Sequence, residues 1–250
     1  TQYTFSSTEG GTFTIGGHCS NGSDNITVVA DNMTVSFAAL PDATYSDCTI
    51  TVTDSAGNTV TIDVNSFTID TTAPILAEVI AVPNRTNSDN ASYTFSSDEI
   101  GTITYGGDCS SSSNDNKSVD GNNNIIFNTL AEGTYDNCKI SVTDNASNTS
   151  DNLSVSSFTI DKTAPTVTQV TAVPTPDNDT TPDYTFYSTE AGAITYVGSC
   201  SSSSDNNTTT EADNITTVTF NALADGTYDN CKISVTDNVS NTSDNLSVSS

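Results

Sequence analysis

The feature that most constrains this chain is that it repeats itself. Leu40-Pro-Asp-Ala-Thr-Tyr-Ser-Asp-Cys48 returns as Leu130-Ala-Glu-Gly-Thr-Tyr-Asp-Asn-Cys138 and again as Leu223-Ala-Asp-Gly-Thr-Tyr-Asp-Asn-Cys231. Tyr3, Tyr93 and Tyr184 open matching Tyr-Thr-Phe segments, and Phe67-Thr-Ile-Asp-Thr-Thr-Ala-Pro74 returns as Phe158-Thr-Ile-Asp-Lys-Thr-Ala-Pro165. A period of about 90 residues means an array of small units, each with its own core. The boundaries fall at Asp70 and Asp161, giving repeats 1–70, 71–161 and 162–250, the first without its opening strand. Residue 1 stands just before a Tyr-Thr-Phe segment and Ser250 stands where Phe-Thr-Ile-Asp would follow, so the sequence reads as an excerpt of a longer array.

Within each repeat the apolar residues alternate with period two: Cys138, Ile140, Val142; Ile125, Phe127; Val218, Phe220, Ala222. Half-buried antiparallel strands require this pattern, and no helical period competes with it. In the second repeat it predicts strands at 75–82, 92–97, 102–107, 117–119, 123–128, 135–143 and 152–160. Seven short strands in about 90 residues suit an all-β, immunoglobulin-like antiparallel sandwich, three in tandem. Leu-x-x-Gly-x-Tyr before the sixth strand predicts that Tyr45, Tyr135 and Tyr228 hydrogen-bond back to the preceding connection. In the seventh strand Leu153 and Val155 share one parity while Phe158 and Ile160 have the other. That change of phase predicts a β-bulge near Ser156 and Ser157.

Six cysteines fall two to a repeat, with no Cys-x-x-Cys and a single histidine, His18, so zinc is not indicated. In the sandwich topology the end of the third strand lies beside the start of the sixth. The pairs Cys19 with Cys48, Cys109 with Cys138 and Cys200 with Cys231 are therefore expected, in an oxidising compartment, extracellular or at the cell surface.

With 5 basic residues against 31 acidic ones, the chain carries a formal charge of −26, which repels nucleic-acid phosphates and anionic lipid surfaces. Neither nucleic-acid binding nor direct membrane insertion is expected of this segment. A lone histidine in one repeat builds no triad, and no apolar cleft that would set two carboxylates apart is legible, so no enzyme is expected. Asn-x-Ser/Thr triplets at Asn25, Asn32, Asn90, Asn145, Asn152, Asn214, Asn238 and Asn245 are candidate glycosylation sites.

The acidic residues cluster in motifs. Thr53-Asp-Ser-Ala-Gly-Asn58, Thr143-Asp-Asn-Ala-Ser-Asn148 and Thr236-Asp-Asn-Val-Ser-Asn241 precede the last strand of each repeat. Ile-Asp-x-Thr-Ala-Pro forms each linker, and Ser-x-Glu-x-Gly stretches end at Gly11, Gly101 and Gly192. Together these resemble the tandem bacterial immunoglobulin-like (Big-type) repeats of large surface adhesins and biofilm-associated proteins. The chain departs from that pattern in its paired cysteines and in Ser147 and Ser240, which stand where the first repeat has Gly57. The resemblance implies calcium held at the junctions by Asp, Glu and Asn oxygens. Strand directions bring the linker, the turn after the second strand and the loop before the seventh to one pole. That pole would gather Asp70, Glu99, Asp144 and Asn148 at one junction and Asp161, Glu190, Asp237 and Asn241 at the next. Glu9, Asp54 and Asn58 are the matching residues of the first repeat. Calcium takes six to eight oxygen ligands, which such a pole can supply, although Asp and Asn also populate turns for their own hydrogen bonds.

The function expected on this reading is an extracellular spacer or stalk of a microbial adhesin, whose partners are neighbouring repeats of the same chain. The alternative is a subunit of a self-assembling fibre, sheath or surface layer, in which identical chains associate through open sheet edges.

Overall fold

The computed structural model describes residues 1–19, 26–110, 116–202 and 212–249, and the chain is all-β, its strand pairs antiparallel except for one short parallel pair. The first repeat contains β1 (Gln2–Ser7), β2 (Gly11–Gly16), β3 (Ile26–Val28), β4 (Asp31–Ser36), β5 (Ala43–Tyr45), β6 (Thr49–Asp54), β7 (Thr59–Asp63) and β8 (Phe67–Ile69). The second contains β9 (Leu76–Ile80), β10 (Arg85–Thr86), β11 (Ser92–Ser97), β12 (Gly101–Gly106), β13 (Lys117–Ser118), β14 (Gly121–Ile126), β15 (Gly133–Tyr135), β16 (Lys139–Asp144), β17 (Leu153–Ser154) and β18 (Phe158–Ile160). The third contains β19 (Val167–Thr171), β20 (Asp183–Ser188), β21 (Ala193–Val197), β22 (Asn214–Thr219), β23 (Lys232–Thr236) and β24 (Leu246–Ser247).

In the second repeat a sheet of order β14-β11-β9 accompanies a sheet of order β13-β12-β16-β17. The alternation read from the sequence decides what faces inward: Tyr93, Phe95, Ile103, Ile125, Phe127, Ile140 and Val142 form one buried cluster with the Cys109–Cys138 pair. Separate clusters around Phe13 and Ile50, and around Phe186 and Ile233, belong to the first and third repeats.

Two expected strands divide. Residues 135–143 are not continuous: Tyr135 ends β15, which pairs with β18, and β16 begins only at Lys139. The predicted bulge at Ser156 and Ser157 is instead a change of sheet. Leu153 and Ser154 pair with β16, whereas Phe158–Ile160 crosses to lie between β15 and β10. The phase shift arises because the two halves of the strand bury their side chains from different sheets. Glu78 on β9 holds the crossing, since its carboxylate accepts from Ser156 N at 3.0 Å and Ser156 Oγ at 2.7 Å. A further strand, β10, runs parallel to β18 over two residues, too short to leave a periodic trace.

Each expected tyrosine donates to the carbonyl four residues back: Tyr45 to Pro41 at 2.9 Å, Tyr135 to Ala131 at 3.0 Å and Tyr228 to Ala224 at 2.8 Å. Tyr135 also stacks on Phe158, with centroids 5.3 Å apart, as Tyr45 does on Phe67.

All three expected disulfides are formed, with Cα atoms 5.3, 5.3 and 5.5 Å apart. The approach needs glycine: Gly107 has φ of 72°, and a Cβ there would sit 2.2 Å from the Asn137 carbonyl oxygen. Asn137 completes the turn by accepting from Asp108 N through Oδ1 at 3.0 Å. The disulfides fit an oxidising environment. Among the described residues no helix is long and apolar enough to cross a membrane. Replacing Cys109 and Cys138 together by alanine opens a loop of 29 residues' separation. The second repeat should then lose roughly 3 to 4 kcal/mol by the chain-entropy model, read as a lower denaturation midpoint.

Candidate metal centre

Each junction is built around the end of one strand pair. In β12 and β16, Gly101 lies opposite Asp144, so the turn before Gly101 and the loop after Asp144 leave the sheet side by side. A side chain at Gly101 would stand 2.4 Å from the Thr143 carbonyl oxygen, and at Gly192 the same distance to Thr236 is 2.3 Å. The glycine of Ser-x-Glu-x-Gly is therefore a contact requirement that brings Glu99 beside Asp144, and Glu190 beside Asp237.

The loop after Asp144 is folded by that residue's own carboxylate. Oδ1 accepts from Ala146 N and Asn148 N, both at 2.8 Å, and Oδ2 accepts from Asn148 Nδ2 at 2.8 Å. A carboxylate has about four lone-pair sites, so Oδ2 keeps one for a further partner. Asp237 with Asn241, and Asp54 with Asn58, repeat this geometry. Ser147 and Ser240 take φ of 76° and 75°, the left-handed conformation that Gly57 adopts at 87°.

Linkers are fastened on both sides. Asn148 Nδ2 also donates to the Asp70 carbonyl at 3.1 Å, and Asn241 Nδ2 to that of Asp161 at 3.0 Å. Both partners of each amide are acceptors, so its NH2 must face them. Asn148 and Asn241 thus tie the linker to the loop instead of offering an amide oxygen there. Toward the preceding repeat, Asp42 accepts from Thr71 N, Thr71 Oγ1 and Thr72 Oγ1 at 3.1, 2.9 and 2.8 Å. Glu132 accepts from Thr163 Oγ1 in the second linker. Asp42 and Glu132 occupy matching places in the Leu-x-Asp/Glu segment, where the tyrosine drew notice and the acid did not.

The outcome is two groups of three acids: Asp70, Glu99 and Asp144, and Asp161, Glu190 and Asp237. In each, one oxygen per residue lies within 4.8 Å of the others. Asp144 and Asp237 are only 8% and 7% exposed, and Asp54 is half-exposed. Glu9, Asp54 and Asn58 are not gathered into such a group among the described residues. Of the glycosylation candidates, Asn32, Asn90, Asn145, Asn152, Asn238 and Asn245 are exposed and Asn214 is half-buried, while Asn25 lies outside the described residues.

Charge separates the members by role. Burial raises the Glu99 carboxyl above its ordinary range, and the charges of Asp70, Asp144 and Asp98 raise it further. Glu190 is raised likewise by burial, Asp161 and Asp237, and Arg85 partly offsets this. Asp144 is held low: burial is the largest single influence and opposes its charge, but the hydrogen bonds from Asn148, Ala146 and Ser147 together outweigh it. Turn chemistry thus accounts for Asp144 and Asn148, but not for Glu99 or Glu190. Ser97 and Ser188 engage those glutamates only through the backbone, and no hydrogen bond reaches either carboxylate among the described residues.

Comparison with protein-family models and with curated proteins gives no match for this chain, so the chemistry rests on its own residues. An all-oxygen, carboxylate-rich donor set without histidine or thiol suits a hard cation. Either group could hold a metal ion.

The pKa directions fix the metal-free pH response. Glu99 and Glu190 bind their protons more tightly in the folded chain, so between their ordinary value near 4.5 and their raised folded values, stability falls as pH rises. Asp144 acts oppositely, its contribution being lost as pH falls through its lowered folded value. In chelator, melting temperature should therefore rise on mild acidification from neutrality and drop again in stronger acid. Glu99→Gln with Glu190→Gln should flatten the first limb and spare the second.

Proposed function

We propose that this chain is an extracellular spacer. On this reading it is a tandem array of three immunoglobulin-like sandwiches, a non-catalytic stretch of the stalk of a microbial surface adhesin, whose junctions are stiffened by calcium. The observation that carries the reading is the pair of glutamates, Glu99 and Glu190. Each carboxylate is half-buried among two other acids, hydrogen-bonded to nothing among the described residues, at the place where one repeat meets the next. A carboxylate so placed is relieved by a proton or by a cation, and calcium's tolerance of irregular oxygen geometry suits loops better than the strict octahedron of magnesium. The linker aspartate would come from one repeat and the other two acids from the next, so a bound ion would cross-link adjacent units. Three near-copies with no site unique to one of them fit a scaffold better than a binding module.

At a free concentration of about one hundred times Kd, each filled junction would gain about 2.7 kcal/mol. Small-angle scattering and melting, with calcium and then with chelator, test the proposal. Calcium should lengthen and stiffen the particle and raise its melting temperature, and Glu99→Gln with Glu190→Gln should remove both responses. An unchanged maximum dimension and melting temperature would sink it.

A second reading, assembly of identical chains, rests on open sheet edges such as that of β14, which ends its sheet. Negative-stain microscopy distinguishes the two: separate rods favour the spacer, and ordered polymers of constant width favour assembly.

A further inference from the structure

In every repeat the residue before one cysteine is bound to the residue before its partner. Asp47 accepts from His18 N through Oδ1 at 3.2 Å and from His18 Nδ1 through Oδ2 at 2.6 Å. In the second repeat the side-chain bond runs the other way. Asn137 Oδ1 accepts from Asp108 N at 3.0 Å, while Asn137 Nδ2 donates to Asp108 Oδ2 at 2.8 Å. In the third, Asn230 Oδ1 accepts from Ser199 N and Asn230 Nδ2 donates to Ser199 Oγ, both at 3.1 Å. Three different residue pairs thus close the same two-bond clasp, each beside a buried disulfide. Gly17 and Gly198, at φ of 71° and 93°, turn the chain into it as Gly107 does. The residue after the cysteine is fastened too. Ser110 accepts from Asn128 through its carbonyl and its Oγ, both at 2.7 Å, and Ser201 accepts from Asn221 in the same way at 2.8 and 2.9 Å. Cys109 and Cys200 are therefore held on both sides by bonds in which sulfur takes no part.

We infer that these clasps are positioning devices for the cysteines: they bring the two thiols of a repeat together in the folded, reduced chain and so decide which bridge forms. Six cysteines can pair in many ways, and repeats this similar offer wrong partners in nearly the same local sequence. Selection then has to come from folded geometry. A cysteine thiolate attacks a small-molecule disulfide such as oxidised glutathione and releases one glutathione. The second cysteine attacks the mixed disulfide and releases the other, so two protein thiols become one disulfide and one oxidised glutathione becomes two reduced ones. The second attack is intramolecular, and a clasp that fixes both backbones raises its effective concentration.

The test uses the whole 250-residue chain, equilibrated with reduced and oxidised glutathione at a series of ratios, quenched by alkylation and read bridge by bridge by peptide mass mapping. Wild type is compared with Asn137→Ala and with the exchanged pair Asp108→Asn, Asn137→Asp, and Cys200–Cys231 of the same molecules serves as the standard. Asn137→Ala should lower the effective thiol concentration of Cys109 with Cys138 by about tenfold, as the loss of two hydrogen bonds implies, and leave Cys200–Cys231 unchanged. It should also let Cys109 and Cys138 turn up in bridges with other repeats. The exchanged pair sets two donors against a carboxylate, as His18 and Asp47 do, and should restore the wild-type ratio. Circular dichroism of the fully reduced wild type should show a β-rich chain that melts cooperatively. The inference is overturned if Asn137→Ala leaves the Cys109–Cys138 ratio unchanged, if it shifts both bridges together, or if the exchanged pair fails to restore it. A reduced wild type that is unfolded overturns it as well, since no folded geometry would then be there to select the partner.

Discussion

Everything specific about this chain is hung on one strand pair in each repeat, β12 with β16 and its counterparts β2 with β6 and β21 with β23. The pairing runs the full length of these strands, from Gly101 opposite Asp144 to Gly106 opposite Lys139. Just beyond one end the disulfide closes, and at the other two acids are pressed together. Glycine is required at both ends, at Gly101 and Gly107, for the same reason, that a backbone carbonyl of β16 or of Asn137 just before it occupies the space a side chain would need. The covalent tie and the charged junction are thus opposite ends of one rigid ladder. A small unit with a modest apolar core gains from the first, and the second makes its neighbour part of its own stability.

Period and alternation were legible because they are set by this ladder. Cys138, Ile140 and Val142 must alternate to face the core, and the tyrosine three residues before the cysteine must reach back four residues, so both leave a regular trace. The gathering of Asp70, Glu99 and Asp144 was legible too, since strand direction alone decides which loops share a pole. What escaped was whatever depends on side chains meeting across sheets. The crossing at Ser156 looked like a bulge because parity shows that a phase changes but not which sheet receives each half. Arg85 on its two-residue strand, and Asp42 and Glu132 on the linkers, act through single contacts without period. Asn148 and Asn241 were read as oxygen donors, whereas surroundings of acceptors turn their amide nitrogens inward.

The linkers show how a short connection becomes a joint. Asp70 is followed by two threonines bound to Asp42 of the preceding repeat, while its own carbonyl is bound by Asn148 of the following one. Those neutral and charge-assisted hydrogen bonds fix where the linker runs, and in fixing it they bring the Asp70 carboxylate to the other two acids. The hydrogen bonds that order the joint therefore create the repulsion that loads it. A chain with a formal charge of −26 has little internal cation to spare for relieving this. Relief has to come from protons, from a bound ion or from a residue such as Arg85, and these three differ in what they respond to: pH, ion concentration, or nothing outside the chain.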